Sequence, residues 1–310
     1  MPRTASTGNR LHQVNYPSPE KLMMHDDAKD IIAYLRDATV SGEELFATLI
    51  GSVEIEISSA CNRRCAYCPQ SVVARHQELM PIALFRKIVG ELHRIDYRKD
   101  ISFHQFNEPL LVTDHLYVCM REVREKLPGA SMNIFTNGDK LTRDVLEELA
   151  ALGAGTVMAT CQYAEGEEWS VKSAVRKIRE LCDRLGAPCD IRPQGASLMS
   201  LATLGGTELW IMSSDLMRHG SHRLGTVPVD RRERTHAGPC KMMLGSMNIS
   251  YSGTAYLCCE FCHGVPEQQR YALGSAYDLT VFELLQRKKN FIIPYLSGNP
   301  PACCRNCGGN

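Results

Sequence analysis

Apolar and polar residues recur along this chain in two rhythms, one typical of strands and one typical of helices. Ser52–Ile57 alternates with a period of two and predicts a strand. Apolar residues three and four positions apart then run from Leu84 to Leu92, and they predict the buried face of a helix that opens at Pro81. The chain therefore begins its regular part with a strand followed by a helix.

Further elements follow the same rhythms on either side. Ser41 and Glu44 have the spacing of a capping box and predict the start of a helix, after an earlier helix over Ala28–Asp37. Repeated β–α units of this length predict an α/β fold with a parallel sheet, either open or curled into a barrel. The remaining predicted strands are Ile101–Phe106, Ser131–Thr136, Thr156–Thr160 and Cys189–Arg192, and the remaining predicted helices are Thr113–Lys126, Thr142–Leu152 and Glu167–Leu185.

Unusual polar residues stand where the predicted strands end. In parallel α/β folds the carboxyl ends of the strands meet at one rim, and chemistry collects there. We therefore expect these residues to share a site. In strand order they are Cys61, Asn107-Glu108-Pro109, Asn137-Gly138, Thr160-Cys161-Gln162 and Arg192.

The composition limits the class of protein. The chain has 310 residues, with 35 Lys and Arg against 35 Asp and Glu, so it lacks the basic excess typical of a nucleic-acid binder or a membrane-surface protein. No apolar run approaches the roughly 18 residues of a membrane span, and the start has no signal-peptide pattern. We expect a cytoplasmic protein with neither nucleic acid nor membrane as a partner.

Fourteen cysteines are the outlier, and ten of them fall in three groups. Grouped cysteines in a reducing compartment favour metal ligation over disulfides. The first group, Cys61, Cys65 and Cys68, has the spacing C-x3-C-x2-C directly after the first strand. A structural zinc site or an iron–sulfur cube normally takes four protein ligands, so three thiolates leave one iron open to a small molecule.

This motif resembles that of the radical S-adenosylmethionine (SAM) superfamily, with the aromatic Tyr67 before the last cysteine. The resemblance implies a partial (β/α)6 TIM-like barrel. It also implies that Cys61, Cys65 and Cys68 bind a [4Fe–4S] cluster whose open iron holds SAM, which is cleaved to a 5′-deoxyadenosyl radical. Tyr67 is expected near the adenine. A zinc knuckle is the alternative.

Other contacts are carried over from the same family. Glu108 takes the acidic position of the motif that holds the methionyl amino group, and Asn107 replaces the usual glycine beside it. Asn137 matches the turn after the third strand, while Thr160 and Gln162 stand where ribose contacts occur. The last three are equally compatible with ordinary turn residues.

The second cysteine series resembles the SPASM and Twitch modules that bind auxiliary clusters. Cys240 and Cys258 frame the pattern C-x12-G-x4-C, and the segments around Ser252-Gly253 predict a hairpin. A helix is predicted over Thr280–Lys289 before the final cysteines. The resemblance to the shorter Twitch pattern implies one auxiliary [4Fe–4S] cluster, with Cys303 in place of Cys304 and a zinc site as alternatives; its implied ligands are Cys240, Cys258, Cys304 and Cys307.

Candidate catalytic residues lie close to these motifs. Cys259 and Cys303 neighbour the implied ligands, and a thiol there could donate a hydrogen atom in an epimerisation; packing is the alternative. Arg192 is a candidate for orienting a substrate hydroxyl or carboxylate. Other candidates for that role are Arg218, His219, His222 and Arg223.

Three regions are predicted, namely an N-terminal arm with helices over 1–50, a radical SAM core over 51–225 and a Twitch-like module over 226–310. The expected reaction is dehydrogenation or epimerisation of a small sugar-, aminocyclitol- or nucleoside-derived natural product in antibiotic biosynthesis. An external flavodoxin- or ferredoxin-type reductant would supply the electron. The alternatives are decarboxylation of a sugar-acid nucleoside, maturation of a peptide or protein side chain, and a metal-stabilised binding protein without activity.

Overall fold

The regular elements are seen in a computed structural model that describes residues 28–163, 166–229, 239–305 and 307. Residues 1–27 of the predicted N-terminal region lie outside the described residues, whereas its two helices are present. The helices are α1 Ala28–Arg36, α2 Gly42–Leu49, α3 Ile82–Arg94, α4 Thr113–Lys126, α5 Arg143–Ala151, α6 Val171–Leu185, α7 Leu216–His219, α8 Lys241–Gly245, α9 Val281–Leu296 and α10 Ala302–Arg305. The strands are β1 Ser52–Ile55, β2 Asp100–Ser102, β3 Ser131–Thr136, β4 Ala154–Thr160, β5 Arg192–Gln194, β6 Ser197–Leu204, β7 Thr207–Ser214, β8 Ser246–Ile249, β9 Thr254–Tyr256 and β10 Ala272–Ser275.

The described strands form one ten-stranded sheet in the order β10-β9-β8-β1-β2-β3-β4-β7-β6-β5. Its centre is parallel, from β8 through β1, β2, β3 and β4 to β7, and both ends are antiparallel. Helices α3 to α6 follow β1 to β4 in turn, as the predicted β–α units require. The predicted α/β class with a partial barrel is confirmed.

One predicted strand is wrong. Cys189–Arg192 does not form the fifth parallel strand; β5 begins at Arg192 and pairs antiparallel with β6 at the sheet edge. The fifth parallel strand is β7, which pairs with β4. Its partner β6 is joined to it by Gly205-Gly206, both with positive φ, a turn that suits a two-residue hairpin.

The C-terminal hairpin is present as predicted, and it also joins the main sheet. β8 and β9 pair antiparallel, with Asn248 opposite Tyr256. β8 also pairs parallel with β1, Ser52 opposite Ser246, so the sheet continues from the barrel into the C-terminal region. The predicted boundary between residues 225 and 226 stays a prediction.

The buried core lies between the sheet and its helices. Helices α3 and α9 both begin where the sequence predicts, and α9 starts with a complete capping box between Thr280 and Glu283. α9 runs to Leu296, seven residues beyond the predicted end. None of the helices in the described ranges is both long enough and apolar enough to cross a membrane.

Candidate active site

A cavity of about 290 Å³ opens at the carboxyl ends of the parallel strands. The cavity lies at the rim where the sequence predicts the functional residues, because β1 to β4 and β7 all end there. Met212 and Ser214 of β7 also line the cavity, and the sequence analysis did not predict them as site residues. Its lining includes the three cysteines of the first group and all six predicted cofactor contacts: Cys61, Cys65, Cys68, Tyr67, Asn107, Glu108, Asn137, Thr160 and Gln162.

The three-cysteine loop is tied to the turn after β3. Arg63 pairs with Asp139 through two hydrogen bonds, Nε to Oδ2 at 2.7 Å and Nη2 to Oδ1 at 2.5 Å. Asn62 Nδ2 donates to the same carboxylate at 2.7 Å, and Asn137 Nδ2 donates to Asn62 Oδ1 at 2.8 Å. A bidentate arginine–carboxylate pair fixes orientation as well as distance. The loop is thus held against the neighbouring strand ends.

Glu108 lies in the segment that follows β2, and it is almost fully buried, at 2% exposure. Its carboxylate accepts hydrogen bonds from Thr136 Oγ1 at 2.7 Å, the Asn137 backbone N–H at 2.6 Å and the Leu110 backbone N–H at 3.0 Å. Burial raises the pKa of Glu108, although the hydrogen bonds from Asn137 and Thr136 act in the opposite direction. The result is a buried carboxylate whose orientation is fixed before any ligand binds.

Tyr67 and Gln162 join opposite sides of the cavity. The Tyr67 hydroxyl donates to Gln162 Oε1, and Lys177 Nζ donates to the Gln162 carbonyl at 2.8 Å. The Tyr67 ring packs edge-to-face on Tyr163 with centroids 6.2 Å apart. Burial raises the pKa of Tyr67, so its hydroxyl stays protonated and keeps its role as a donor.

Two residues beside Asn107 line the cavity and were not predicted. Neither amide atom of Gln105 has a hydrogen-bond partner or exposure to water, and the Nδ1 atom of His104 is also buried and unpartnered. Burial lowers the pKa of His104 to about 4, and its ring stacks on Phe135 with centroids 4.2 Å apart. Unpartnered buried polar atoms are rare, which makes these cavity-lining groups candidates for contact with a ligand. The sequence feature that could have identified His104 and Gln105 is their position just after β2, at the rim where the other site residues lie.

Of the basic residues at the junction with the C-terminal region, only Arg223 is among the described residues that line the cavity. Its Nη1 atom lies 3.3 Å from Glu260 Oε1 and donates to the Cys259 carbonyl at 3.4 Å, and its guanidinium lies over the Phe106 ring, 5.3 Å from the centroid. The backbone of Arg223 has φ of 48°, in the left-handed region that non-glycine residues rarely adopt. Arg223 thus stands in a sharp turn of the chain beside the cavity.

Three predicted catalytic residues lie elsewhere. Arg192 sits at the antiparallel edge of the sheet, pairs with Asp190 and has 78% of its side chain exposed, because β5 is not a central strand. Cys259 offers its carbonyl to Arg223, and the Cys303 thiol lies 3.8 Å from the Cys304 sulfur. None of the three lines the cavity.

The second cysteine group, defined as the implied auxiliary ligands Cys240, Cys258, Cys304 and Cys307, contacts helix α9 through Tyr295. The Tyr295 hydroxyl accepts a hydrogen bond from the Cys240 backbone N–H at 3.1 Å, and its other electrostatic neighbours are Cys304 and Cys307. Cys258, Cys304 and Cys307 are electrostatic neighbours of one another, and the Cys303 thiol lies 3.8 Å from the Cys304 sulfur. The assignment of Cys304 rather than Cys303 as a ligand stays a prediction.

Comparison with protein families decides the identity of the domain. Residues 55–184 match the radical SAM superfamily, a segment that contains the three-cysteine loop and Glu108. This part of the chain is a radical SAM domain. The resemblance predicted from the sequence is confirmed.

The radical SAM match implies a [4Fe–4S] cluster and SAM in this cavity, and the donor set fits them. Three thiols of one loop line it together with a buried carboxylate, and no fourth cysteine is among its described lining residues. The three thiolates would hold the cluster and would leave one iron free to bind SAM. No three His, Cys, Asp or Glu side chains of the described residues are already grouped closely enough to hold a single metal ion.

Curated relatives match part of this chain. The S-adenosyl-L-methionine-dependent 2-deoxy-scyllo-inosamine dehydrogenase of Niallia circulans is 40% identical over 140 residues, which are 44% of this chain and 51% of that protein. The tungsten-containing aldehyde ferredoxin oxidoreductase cofactor-modifying protein of Pyrococcus furiosus is 35% identical over 103 residues, 33% of this chain and 28% of that protein. The matched segments thus cover about half or less of these relatives.

Solved structures extend the likeness of the fold beyond the family segment. BtrN in complex with AdoMet and 2-DOIA superposes with a TM-score of 0.61 over 84% of this chain and 94% of BtrN, at 22% identity. Streptococcus suis SuiB bound to its precursor peptide SuiA gives 0.52 over 98% of this chain and 77% of SuiB, at 12% identity. At these identities the comparisons establish the fold, including its C-terminal part.

Proposed function

We propose that this radical SAM protein dehydrogenates a secondary alcohol on a small molecule of the aminocyclitol class. The placement of Arg223 carries the proposal. Arg223 lines the cavity of the three-cysteine loop, and it also touches the Cys259 carbonyl, next to Cys258 of the second cysteine group. A substrate held by Arg223 would lie between the two cysteine groups, where a hydrogen atom can leave on one side and an electron on the other.

Similarity to proteins of stated activity supports this substrate class. The Niallia circulans relative is a 2-deoxy-scyllo-inosamine dehydrogenase, 40% identical over the 140 matched residues. BtrN, whose structure contains AdoMet and 2-DOIA, shares the fold over most of both chains. Oxidation of an aminocyclitol alcohol is therefore the reaction we assign.

An alcohol that becomes a ketone loses one hydrogen atom from carbon, one proton from oxygen and one electron. A [4Fe–4S] cluster with SAM would supply the radical that removes the hydrogen atom, and an auxiliary cluster on Cys240, Cys258, Cys304 and Cys307 would accept the electron. Glu108 would bind the SAM ammonium through a charge-assisted hydrogen bond, with Tyr67 beside the adenine. These residue assignments are part of the proposal.

The proton is assigned to the Arg223–Glu260 pair. The guanidinium of Arg223 would donate to the substrate oxygen and hold it in the cavity. Glu260, which pairs with Arg223 just outside the cavity lining, would accept, through a bridging water, the proton that the hydroxyl releases. Glu260 is kept in place by Arg223 at 3.3 Å and by the Ser221 hydroxyl, which donates to its other oxygen. Gln105, with both amide atoms unpartnered, would contact a further hydroxyl or amine of the substrate.

Dehydrogenation is favoured over epimerisation by the positions of the free thiols. An epimerisation needs a hydrogen-atom donor beside the substrate carbon. Cys259 and Cys303 do not line the cavity in the part of the chain that the structure describes. The contacts that do line it suit binding and proton transfer.

An anaerobic assay with SAM and 2-deoxy-scyllo-inosamine as probe substrate tests the proposal. Dithionite stands in for the flavodoxin- or ferredoxin-type reductant that the reaction needs. We expect 5′-deoxyadenosine and the ketone in equal amounts, measured by liquid chromatography and mass spectrometry. In the matched variant Cys258→Ala, 5′-deoxyadenosine is expected to persist while the ketone is lost.

Two outcomes would count against it. Formation of 5′-deoxyadenosine with deuterium uptake from D₂O into the unoxidised probe would assign the protein to epimerisation instead. Cleavage of SAM without any change in the probe would refute the assignment of an aminocyclitol substrate, whereas the assignment of radical SAM chemistry would stand.

A further inference from the structure

A lysine is fully buried where the hydrophobic pattern of α9 requires an apolar residue. Lys288 falls in the stripe formed by Leu284, Leu285 and Ile292, and all four residues have 0% exposure. Its ammonium donates to the Ser246 carbonyl at the start of β8. Transfer of a charged amine into a protein core is costly unless an opposite charge compensates it.

No carboxylate among the described residues lies within ion-pair distance of Lys288. The charged or ionisable groups near its ammonium are Cys258, Cys240 and Cys259 together with Glu54 of β1, and the ammonium acts to lower the pKa of Glu54. The buried cation therefore faces the second cysteine group.

Helix α9 holds this arrangement from two sides. Tyr295 lies seven residues, or two turns, beyond Lys288 and so on the same face of the helix. Its hydroxyl accepts a hydrogen bond from the Cys240 N–H, and the Lys288 ammonium donates one to the Ser246 carbonyl. Cys240 directly precedes the short helix α8, and Ser246 directly follows it. One helix face thus contacts both ends of the segment that begins with Cys240.

We infer that Lys288 is the built-in counter-charge of an auxiliary iron–sulfur cluster on Cys240, Cys258, Cys304 and Cys307, and that its ammonium raises the reduction potential of that cluster. The inference rests on the proposed function. A cluster held by four thiolates is anionic and gains one more negative charge on reduction. A buried cation stabilises the reduced state more than the oxidised state, because Coulomb interactions are strong where water is excluded.

The consequence concerns the oxidation step. A higher potential makes the cluster a better acceptor for the electron that leaves the substrate radical. Lys288 would therefore be a positioning residue that acts through the cluster, without touching the substrate. Its removal should change the potential of one cluster and leave SAM binding in the other cavity intact.

The test is an EPR-monitored redox titration in the full-length Cys61→Ala/Cys65→Ala/Cys68→Ala background, where the auxiliary cluster is the one that remains. Lys288→Met removes the charge at similar volume, Lys288→Gln keeps a donor for the Ser246 carbonyl, and Lys288→Arg keeps the charge. Lys289→Met is the matched control, since Lys289 is the next residue of α9 and its side chain is only half-buried.

We expect Lys288→Met and Lys288→Gln to shift the oxidised-to-reduced equilibrium at least tenfold towards the oxidised cluster, about 59 mV more negative for one electron. Lys288→Arg and Lys289→Met should stay close to the parent value. If the background variant binds iron and both neutral variants keep its potential, the role of Lys288 is refuted while the auxiliary cluster stands. If the background variant binds no iron, the auxiliary cluster itself is refuted, and the role of Lys288 with it.

Discussion

Replacement of Glu108 by alanine is expected to weaken SAM binding and slow 5′-deoxyadenosine formation by roughly thirtyfold to a few thousandfold, the range that corresponds to about 2–5 kcal/mol for truncation of a buried hydrogen-bonded charge pair. Glu108 is 2% exposed and already oriented by Thr136 and the Asn137 N–H. Without it, the SAM ammonium would enter a largely buried site with no counter-charge. Equilibrium binding of SAM and the rate of 5′-deoxyadenosine formation measure the effect.

Two companion variants separate this effect from loss of the fold. Glu108→Gln keeps a hydrogen-bond acceptor for Thr136 but removes the charge, so iron should bind normally while SAM binding remains weak. Glu147→Ala alters a surface carboxylate with 59% of its side chain exposed, and it should leave SAM cleavage unchanged. Wild-type affinity for SAM in Glu108→Ala would refute the role assigned to this residue.

Replacement of Arg75 by methionine is expected to lower the free energy of unfolding by about 3–5 kcal/mol, the usual cost of leaving one member of a buried ion pair without its partner. Arg75 and Glu56 lie 2.7 Å apart, and each side chain is 1% exposed. Glu56 also accepts from the Phe106 N–H at 3.0 Å, and the Arg75 guanidinium lies over the Tyr251 ring, 5.0 Å from the centroid. The pair thus joins the end of β1 to the segment after β2 and to the C-terminal hairpin.

Urea denaturation under anaerobic conditions measures this loss. The double variant Glu56→Gln/Arg75→Met should recover part of it, because no buried charge is then left uncompensated and the amide oxygen introduced at position 56 can still accept from the Phe106 N–H. Arg176→Met, which breaks an exposed pair with Glu180, should cost about 0–1 kcal/mol. A loss of under about 1 kcal/mol in Arg75→Met as well would show that the buried pair does not stabilise the fold.

Local sequence patterns were sufficient to place most of the site. The cavity forms where consecutive parallel strands end, so residues such as Cys61, Glu108 and Asn137 come together although they are far apart in sequence. A period-two strand followed by a polar residue is a local signal, and strand direction in a β–α repeat fixes the rim at which that residue lies. Functional side chains at such a rim can therefore be predicted from the sequence before the structure is known.

The parts that sequence reasoning missed depend on long-range pairing or on single residues. The parallel pairing of β8 with β1 joins segments far apart in the chain, and no local pattern encodes it. The β6–β7 hairpin did have a local signal, the adjacent glycines Gly205-Gly206, and overlooking it misplaced Arg192. Lys288 is one charged residue in an apolar helical stripe, whose meaning depends on the cysteines that the fold brings to it.

The central claim is that Cys61, Cys65 and Cys68 hold an iron–sulfur cluster with one iron left for SAM. Iron analysis and EPR spectroscopy of the dithionite-reduced wild type and of the triple alanine variant test it most directly. The account predicts that the variant loses about four irons per chain, and that SAM changes the spectrum of the wild type but not that of the variant. Equal iron in both proteins, zinc in the three-cysteine loop, or a wild-type spectrum indifferent to SAM would contradict it.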